Sequence, residues 1–272
     1  MAFKPPKSYK DPKFINSRDA RPLRILAEYI GPESRFRKSR VKDTVVFFGS
    51  ARTPDRETAG QRLEEARAHA RANPGPQAQR EVALAEKRVE LSGYYEDARI
   101  LARRITEWSI ALNPANPPYL ISSGGGPGIM EAANRGASEA EGGQSIGLNI
   151  SLPMEQYPNP YISDHLNFEF HYFFTRKFWF LNLARALVVF PGGFGTMDEL
   201  FETLTLIQTK KLSRKLPVVI YGESFWRKIV NFEALVEELV ISEEDLALFK
   251  FCNTPDEAFD FLTGKLLATK KR

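Results

Sequence analysis

Short apolar runs rich in β-branched and aromatic residues alternate along this chain with longer stretches of helical spacing, which confines it to few folds. Thr44-Val-Val-Phe-Phe48, Tyr119-Leu-Ile-Ser122, Ser145–Ile150, Leu166–Phe170, Ala186-Leu-Val-Val-Phe190 and Pro217–Tyr221 read as strands. Helices are expected over residues 129–141, 173–184, 196 to about 210, and from Ser224 onward. Strands that are apolar throughout are buried on both faces, and helices between them serve as crossovers. The expectation is an α/β fold: one open, mostly parallel, Rossmann-like sheet with helices on both faces, forming a single domain with an N-terminal extension.

Charge divides the chain further. Residues 1–42 carry 12 Lys/Arg against 4 Asp/Glu. They are expected to be a basic extension, either solvated or packed on an acidic neighbour, with contact to nucleic acid as the lesser alternative. The core domain is placed at 43–265, followed by a basic tail at 266–272. Between the first two strands, Asn73-Pro-Gly-Pro76 separates two helical stretches, and about 56–79 reads as an insertion into a minimal β-α-β unit.

The single cysteine, Cys252, excludes an intramolecular disulfide framework, and no Cys/His spacing suggests a metal site. No signal-peptide-like apolar run follows the opening residues, and no stretch is apolar enough to span a membrane. A cytoplasmic protein with no metal and no cofactor is expected.

Two glycine-rich loops follow strands and open helices: Ser123-Gly-Gly-Gly-Pro-Gly128 and Pro191-Gly-Gly-Phe-Gly-Thr196. Glycine lets backbone N–H groups approach a phosphate, and the helix N-terminus contributes a favourable dipole. The candidate phosphate-binding residues are Gly49 and Ser50 after the first strand, Ser123, Gly124, Gly125, Gly126, Gly128 and Glu131 at the first loop, and Gly192, Gly193, Gly195 and Thr196 at the second. No G-x-x-x-x-G-K-[ST] or G-x-G-x-x-G is present, so neither P-loop hydrolysis nor NAD binding is supported.

Glu199 lies three residues after Thr196, a spacing that also fits a capping box, in which the carboxylate would only bond a backbone N–H. Arg176 and Lys177 fall in the first turn of the 173–184 helix, where a cation opposes the macrodipole. A phosphate, a substrate or a carboxylate partner would account for Arg176, as would simple exposure. Phe173 and Phe174 lie near enough to border a base. His69, His165 and His171 have no ligand spacing and read as surface or structural.

Pro191-Gly-Gly-Phe-Gly-Thr-Met-Asp-Glu199, with Arg176-Lys177 ahead of it, resembles the Lonely Guy (LOG) family of cytokinin riboside 5′-monophosphate phosphoribohydrolases. Ser123-Gly-Gly-Gly-Pro-Gly-Ile-Met-Glu-Ala-Ala-Asn-Arg-Gly136 is similar to that family's first glycine loop, and Phe48-Gly-Ser50 to the end of its first strand. The likeness spans about 43–222. It implies hydrolysis of the N-glycosidic bond of a nucleoside 5′-monophosphate, of cytokinin riboside or AMP type, to free base and ribose 5-phosphate. It further implies Arg176 and Glu199 as catalytic residues, Lys177 beside the substrate, and a homodimer or higher oligomer. The alternative is a non-catalytic protein that binds nucleotides or single-stranded nucleic acid. Members of the family have often been labelled lysine decarboxylases, but no recognisable pyridoxal phosphate site is present in the sequence.

Overall fold

The structure, a computed structural model, describes residues 5–153, 157–212 and 214–270. Residues 1–4 of the basic extension and 271–272 of the basic tail lie outside these. Seven strands form one sheet: β1 (Asp43–Phe48), β2 (Tyr119–Ser123), β3 (Ser145–Ile150), β4 (Asn167–Phe170), β5 (Ala184–Val189), β6 (Val218–Tyr221) and β7 (Phe249–Cys252). Their order is β4-β3-β2-β1-β5-β6-β7, and every pair is parallel. Strands 1 to 4 wind one way and strands 5 to 7 the other. The direction therefore reverses between β1 and β5, and in such sheets the crevice beyond the carboxyl ends at that point takes ligands.

The helices are α1 (Pro12–Ile15), α2 (Arg21–Lys38), α3 (Arg56–Ala72), α4 (Pro76–Leu112), α5 (Ile129–Ser138), α6 (Phe173–Leu183), α7 (Phe194–Gln208), α8 (Glu223–Ile229), α9 (Phe232–Glu237) and α10 (Pro255–Lys270). Period-two alternation on the strands builds two cores. Val45 and Phe47 of β1 face a layer that holds Tyr95, Leu101 and Ile105 of α4, Ile129 of α5 and Leu262 of α10. Val46 and Phe48 face the other layer, with Phe36 of α2, Trp179 and Phe180 of α6, Leu200 of α7 and Trp226 of α8. The turn at Asn73–Pro76 separates α3 from α4 as expected, and α4 runs unbroken for 37 residues.

Several findings differ from the sequence reading. Much of the N-terminal segment is no free arm: α2 docks on its own chain. The Phe36 ring lies 4.6 Å from Phe168 and 5.4 Å from Trp179. Arg35 donates to the carbonyls of His165 and Asn167 at 3.0 and 2.8 Å. Leu166 belongs to a 3-10 turn rather than to β4. β7 is a seventh strand that the apolar runs did not announce. α7 begins at Phe194, two residues before the expected start.

Candidate active site

Backbone hydrogen bonds tie three strand-end loops together. The N–H of Ser50, just past β1, donates to the Pro191 carbonyl at 3.0 Å, and the Ser50 carbonyl accepts from Ile129 N–H at 3.1 Å. The end of β1, the loop after β5 and the start of α5 therefore form one unit at the sheet's switch point. The packing leaves no room for side chains at several glycines. A Cβ on Gly49 would sit 2.6 Å from Ile129, and one on Gly128, at φ +72°, would sit 2.3 Å from the Ser50 carbonyl. These two glycines permit close backbone approach.

The first loop is held by amide side chains. Ser123 Oγ donates to Asn134 Oδ1 at 2.6 Å and accepts from Gly125 N–H at 3.1 Å. Asn159 Nδ2 donates to the carbonyls of Gly125 and Gly126 at 3.0 and 3.1 Å and to Asn134 Oδ1 at 3.0 Å. Asn149 donates to Asn167 Oδ1 and to the Phe168 carbonyl at 2.7 and 2.8 Å, bracing β3 on β4 beneath Gly125. A buried, satisfied network of this kind rigidifies a loop. Asn134, Asn149 and Asn159 escaped sequence reasoning because they are scattered singly through the chain. Glu131 accepts from Tyr95 Oη at 2.8 Å, so its carboxylate braces α5 on α4.

At the second loop the capping-box reading of Glu199 is overturned. Gly193 is the N-cap of α7, so Thr196 is the third helical residue and cannot cap, and no side-chain cap is made. Thr196 instead packs beneath Gly192, where a Cβ would lie 2.1 Å from its Oγ1. Gly193 and Gly195 face open space. With no side chain capping its first turn, α7 presents N–H groups and the positive end of its dipole toward the crevice. α5 likewise starts at a glycine, Gly128, without a side-chain cap.

The carboxylate freed from that capping role is buried and faces Arg176. Glu199 is 5% exposed, and its Oε1 lies 4.0 Å from Arg176 Nη2. That separation exceeds a hydrogen bond, so both groups retain capacity for a third partner. Burial pushes the Glu199 carboxyl up to about 7, against the downward pull of Lys177 and Arg176. Burial likewise lowers the guanidinium's pKa, with Glu199 opposing, yet arginine remains cationic. Arg176 Nε is buried with no hydrogen-bond partner. The guanidinium carbon lies 5.3 and 5.5 Å from the rings of Phe173 and Phe180. A Cβ on Gly124 would come within 3.9 Å of Arg176 Nη1, which sets the first loop against the same guanidinium. The structure thus brings together Arg176, Glu199 and both glycine loops.

Lys177 is differently engaged: its Nζ lies 2.7 Å from Asp198 and 2.8 Å from Glu202. It bridges α6 to α7 and holds Glu199 in a partly cationic field. A pyridoxal phosphate site would need a lysine amine poised for Schiff-base formation. Lys177 instead sits between two carboxylates with its pKa raised, so the residues at this site do not fit that cofactor. Among the described residues, no group of three or more His, Cys, Asp or Glu side chains is placed to hold a metal ion, and no helix is long and apolar enough to cross a membrane.

Glu28 of α2 is a further contributor. Its carboxylate accepts from the N–H groups of His171 and Tyr172 at 2.7 and 3.3 Å and from Thr175 Oγ1 at 2.5 Å. Its carbonyl accepts from Trp179 Nε1 at 3.0 Å. A carboxylate from α2 therefore fixes the backbone that leads into the helix carrying Arg176. An acid among twelve cations gave no sequence signal for this.

Fold, switch-point loops and the Arg176–Glu199 pair define an open-sheet α/β protein with a candidate site at the switch point of its sheet. A family model described as "Possible lysine decarboxylase" matches residues 130–262. Pyrimidine/purine nucleotide 5′-monophosphate nucleosidases of Escherichia coli K12 and O157:H7 are each 27% identical over 157 residues, 54% of this chain and 32% of theirs. The match thus covers about a third of those relatives' length. The family match covers just under half of the chain and is consistent with the likeness of its motifs to those of LOG proteins.

Proposed function

We propose that this protein hydrolyses the N-glycosidic bond of a nucleoside 5′-monophosphate to the free base and ribose 5-phosphate. The observation that carries the reading is Glu199: buried, without a capping role, poised near neutrality and set against Arg176 between two glycine loops. The 5′-phosphate would lie on the backbone N–H groups of the loops after β2 and β5, at the N-termini of α5 and α7. Heterolysis of the C1′–N bond leaves positive charge on the ribose, which ionised Glu199 stabilises while it takes a proton from the attacking water. The water oxygen bonds to C1′, and the base leaves with the bonding electron pair and takes a proton from solvent, to which Glu199 returns the proton it removed from the water. Arg176 orients the substrate and favours the ionised form of Glu199.

The resemblance to LOG proteins favours adenine nucleotides, either AMP or its N6-isoprenylated forms, and a homodimer or higher homo-oligomer, and the single cysteine favours a reducing, cytoplasmic setting. A non-catalytic nucleotide binder would have no use for a buried carboxylate beside its anionic ligand, so the hydrolase reading is preferred. The test is to incubate purified protein with a panel of nucleoside monophosphates and separate the products by chromatography. Free base and ribose 5-phosphate in equal amounts are expected. Tight nucleotide binding without base release refutes the reading. Light scattering reports the assembly, with a monomer counting against the dimer.

A further inference from the structure

The opposite edge of the sheet carries a second concentration of charge. Asp43 of β1, Tyr119 of β2, Arg185 of β5, Pro217 just ahead of β6 and Phe249 of β7 all lie at amino ends of strands. They line a depression of about 1020 Å³. Arg185, Arg214, Lys215, Lys250 and Lys265 also face it, against a single acid, Asp43. Asp43 is already committed, because it accepts from Arg185 Nε at 2.6 Å. Lys250 and Lys265 approach the same Phe261 ring, at 5.2 and 5.7 Å from its centre.

Arg214 marks the strain in this arrangement. Burial lowers its pKa, repulsion from Arg185 lowers it further, and Asp43 only partly compensates. One guanidinium nitrogen donates to the Leu181 carbonyl near the end of α6, a role that suits a cation at a helix C-terminus. Its Nε, by contrast, is buried with no hydrogen-bond partner. Helix capping accounts neither for that orphan donor nor for Lys250, which lies on a strand. Like charges gathered in a concave site without counter-charges are an electrostatic cost that an anionic ligand removes.

We propose that this depression is a second anion site, for a small molecule that carries two or more adjacent phosphate groups. Orthophosphate carries about two negative charges at neutral pH, too few to match the lining. The aromatic and apolar walls at Tyr119, Phe249 and Phe261 enclose a compact ligand rather than the continuous backbone of a nucleic acid. The site lies at the edge of the sheet away from the glycine loops, so the proposal does not depend on the hydrolase reading.

The probe is inorganic tripolyphosphate, titrated calorimetrically into the full chain at fixed ionic strength. The wild-type protein and Arg176→Gln are expected to bind it alike. Orthophosphate is expected to bind at least about tenfold more weakly, and the double variant Lys250→Gln/Lys265→Gln to lose about tenfold or more in affinity, as loss of charge-assisted contacts implies. Both lysines are exposed, so the double variant tests binding and not folding. Undiminished affinity in the double variant overturns the proposal. So does loss of binding in Arg176→Gln, which assigns the anion to the catalytic loops, or tighter competition by a single-stranded oligonucleotide, which assigns the surface to nucleic acid.

Discussion

Replacing Glu199 by Gln is expected to stabilise the protein in alkaline solution while abolishing its activity. The carboxyl is held near 7 instead of its ordinary 4.5 because it is buried, and Lys177 and Arg176 only partly offset that. The native state therefore binds a proton more tightly than the unfolded chain. The stability linked to this group is fully present below about pH 4.5 and is lost as pH rises through about 7. At about 1.4 kcal/mol for each tenfold difference in proton affinity, the wild-type protein forgoes about 3 kcal/mol by about pH 8. Gln has the shape of the protonated carboxyl and escapes this loss. Urea unfolding of both proteins across pH should show curves that coincide near about pH 4.5 and diverge above it, the variant gaining about 3 kcal/mol, or roughly 6–10 °C in Tm for a chain of this size. Free-base release by the same variant should fall by at least about a hundredfold. A stability difference independent of pH refutes the buried-carboxylate account, and full activity refutes the catalytic role.

Three further outcomes follow from the same geometry. Arg176→Gln removes a cation beside Glu199, so the acid limb of kcat/KM against pH should move to higher pH; an unmoved limb would mean that the two groups do not interact. Gly125→Ala places a methyl 2.1 Å from Asn149 Oδ1 at φ +73° and should cost about 2–3 kcal/mol by thermal unfolding, whereas Gly193→Ala, facing open space, should stay within about 1 kcal/mol. Glu28→Ala leaves the N–H groups of His171 and Tyr172 without this acceptor and should cost about 2–4 kcal/mol. It should also lower kcat more than it raises KM, with partial rescue by Gln; unchanged kinetics would limit Glu28 to a structural role.

The sheet was legible because its central strands are apolar on both faces, and the loops because glycine clusters sit between such strands and helices. β7 was not, since Phe249-Lys-Phe-Cys252 is short and takes a lysine on its exposed side. The T-x-x-E spacing misled because the glycines at 192 and 193 let α7 start earlier than its first capping-type residue. Charge hid α2: Arg21, Arg37 and Lys38 are exposed while Phe36 packs on Trp179 and Phe168, and composition alone cannot separate a solvated arm from an amphipathic helix. The pairing of Arg176 with Glu199 was readable from their places at two helix starts. The asparagine network under the first loop was not, because its members meet only in three dimensions.

On the proposed mechanism, Arg176 and Glu199 cleave the glycosidic bond of a nucleotide held by the two loops. The most direct measurement is single-turnover hydrolysis of AMP by the wild-type protein across pH, followed by chromatography of adenine and ribose 5-phosphate. Release is expected to rise with pH through about 7 as Glu199 ionises and to vanish in Glu199→Gln. Absence of adenine at every pH, or equal release by the variant, would contradict the mechanism.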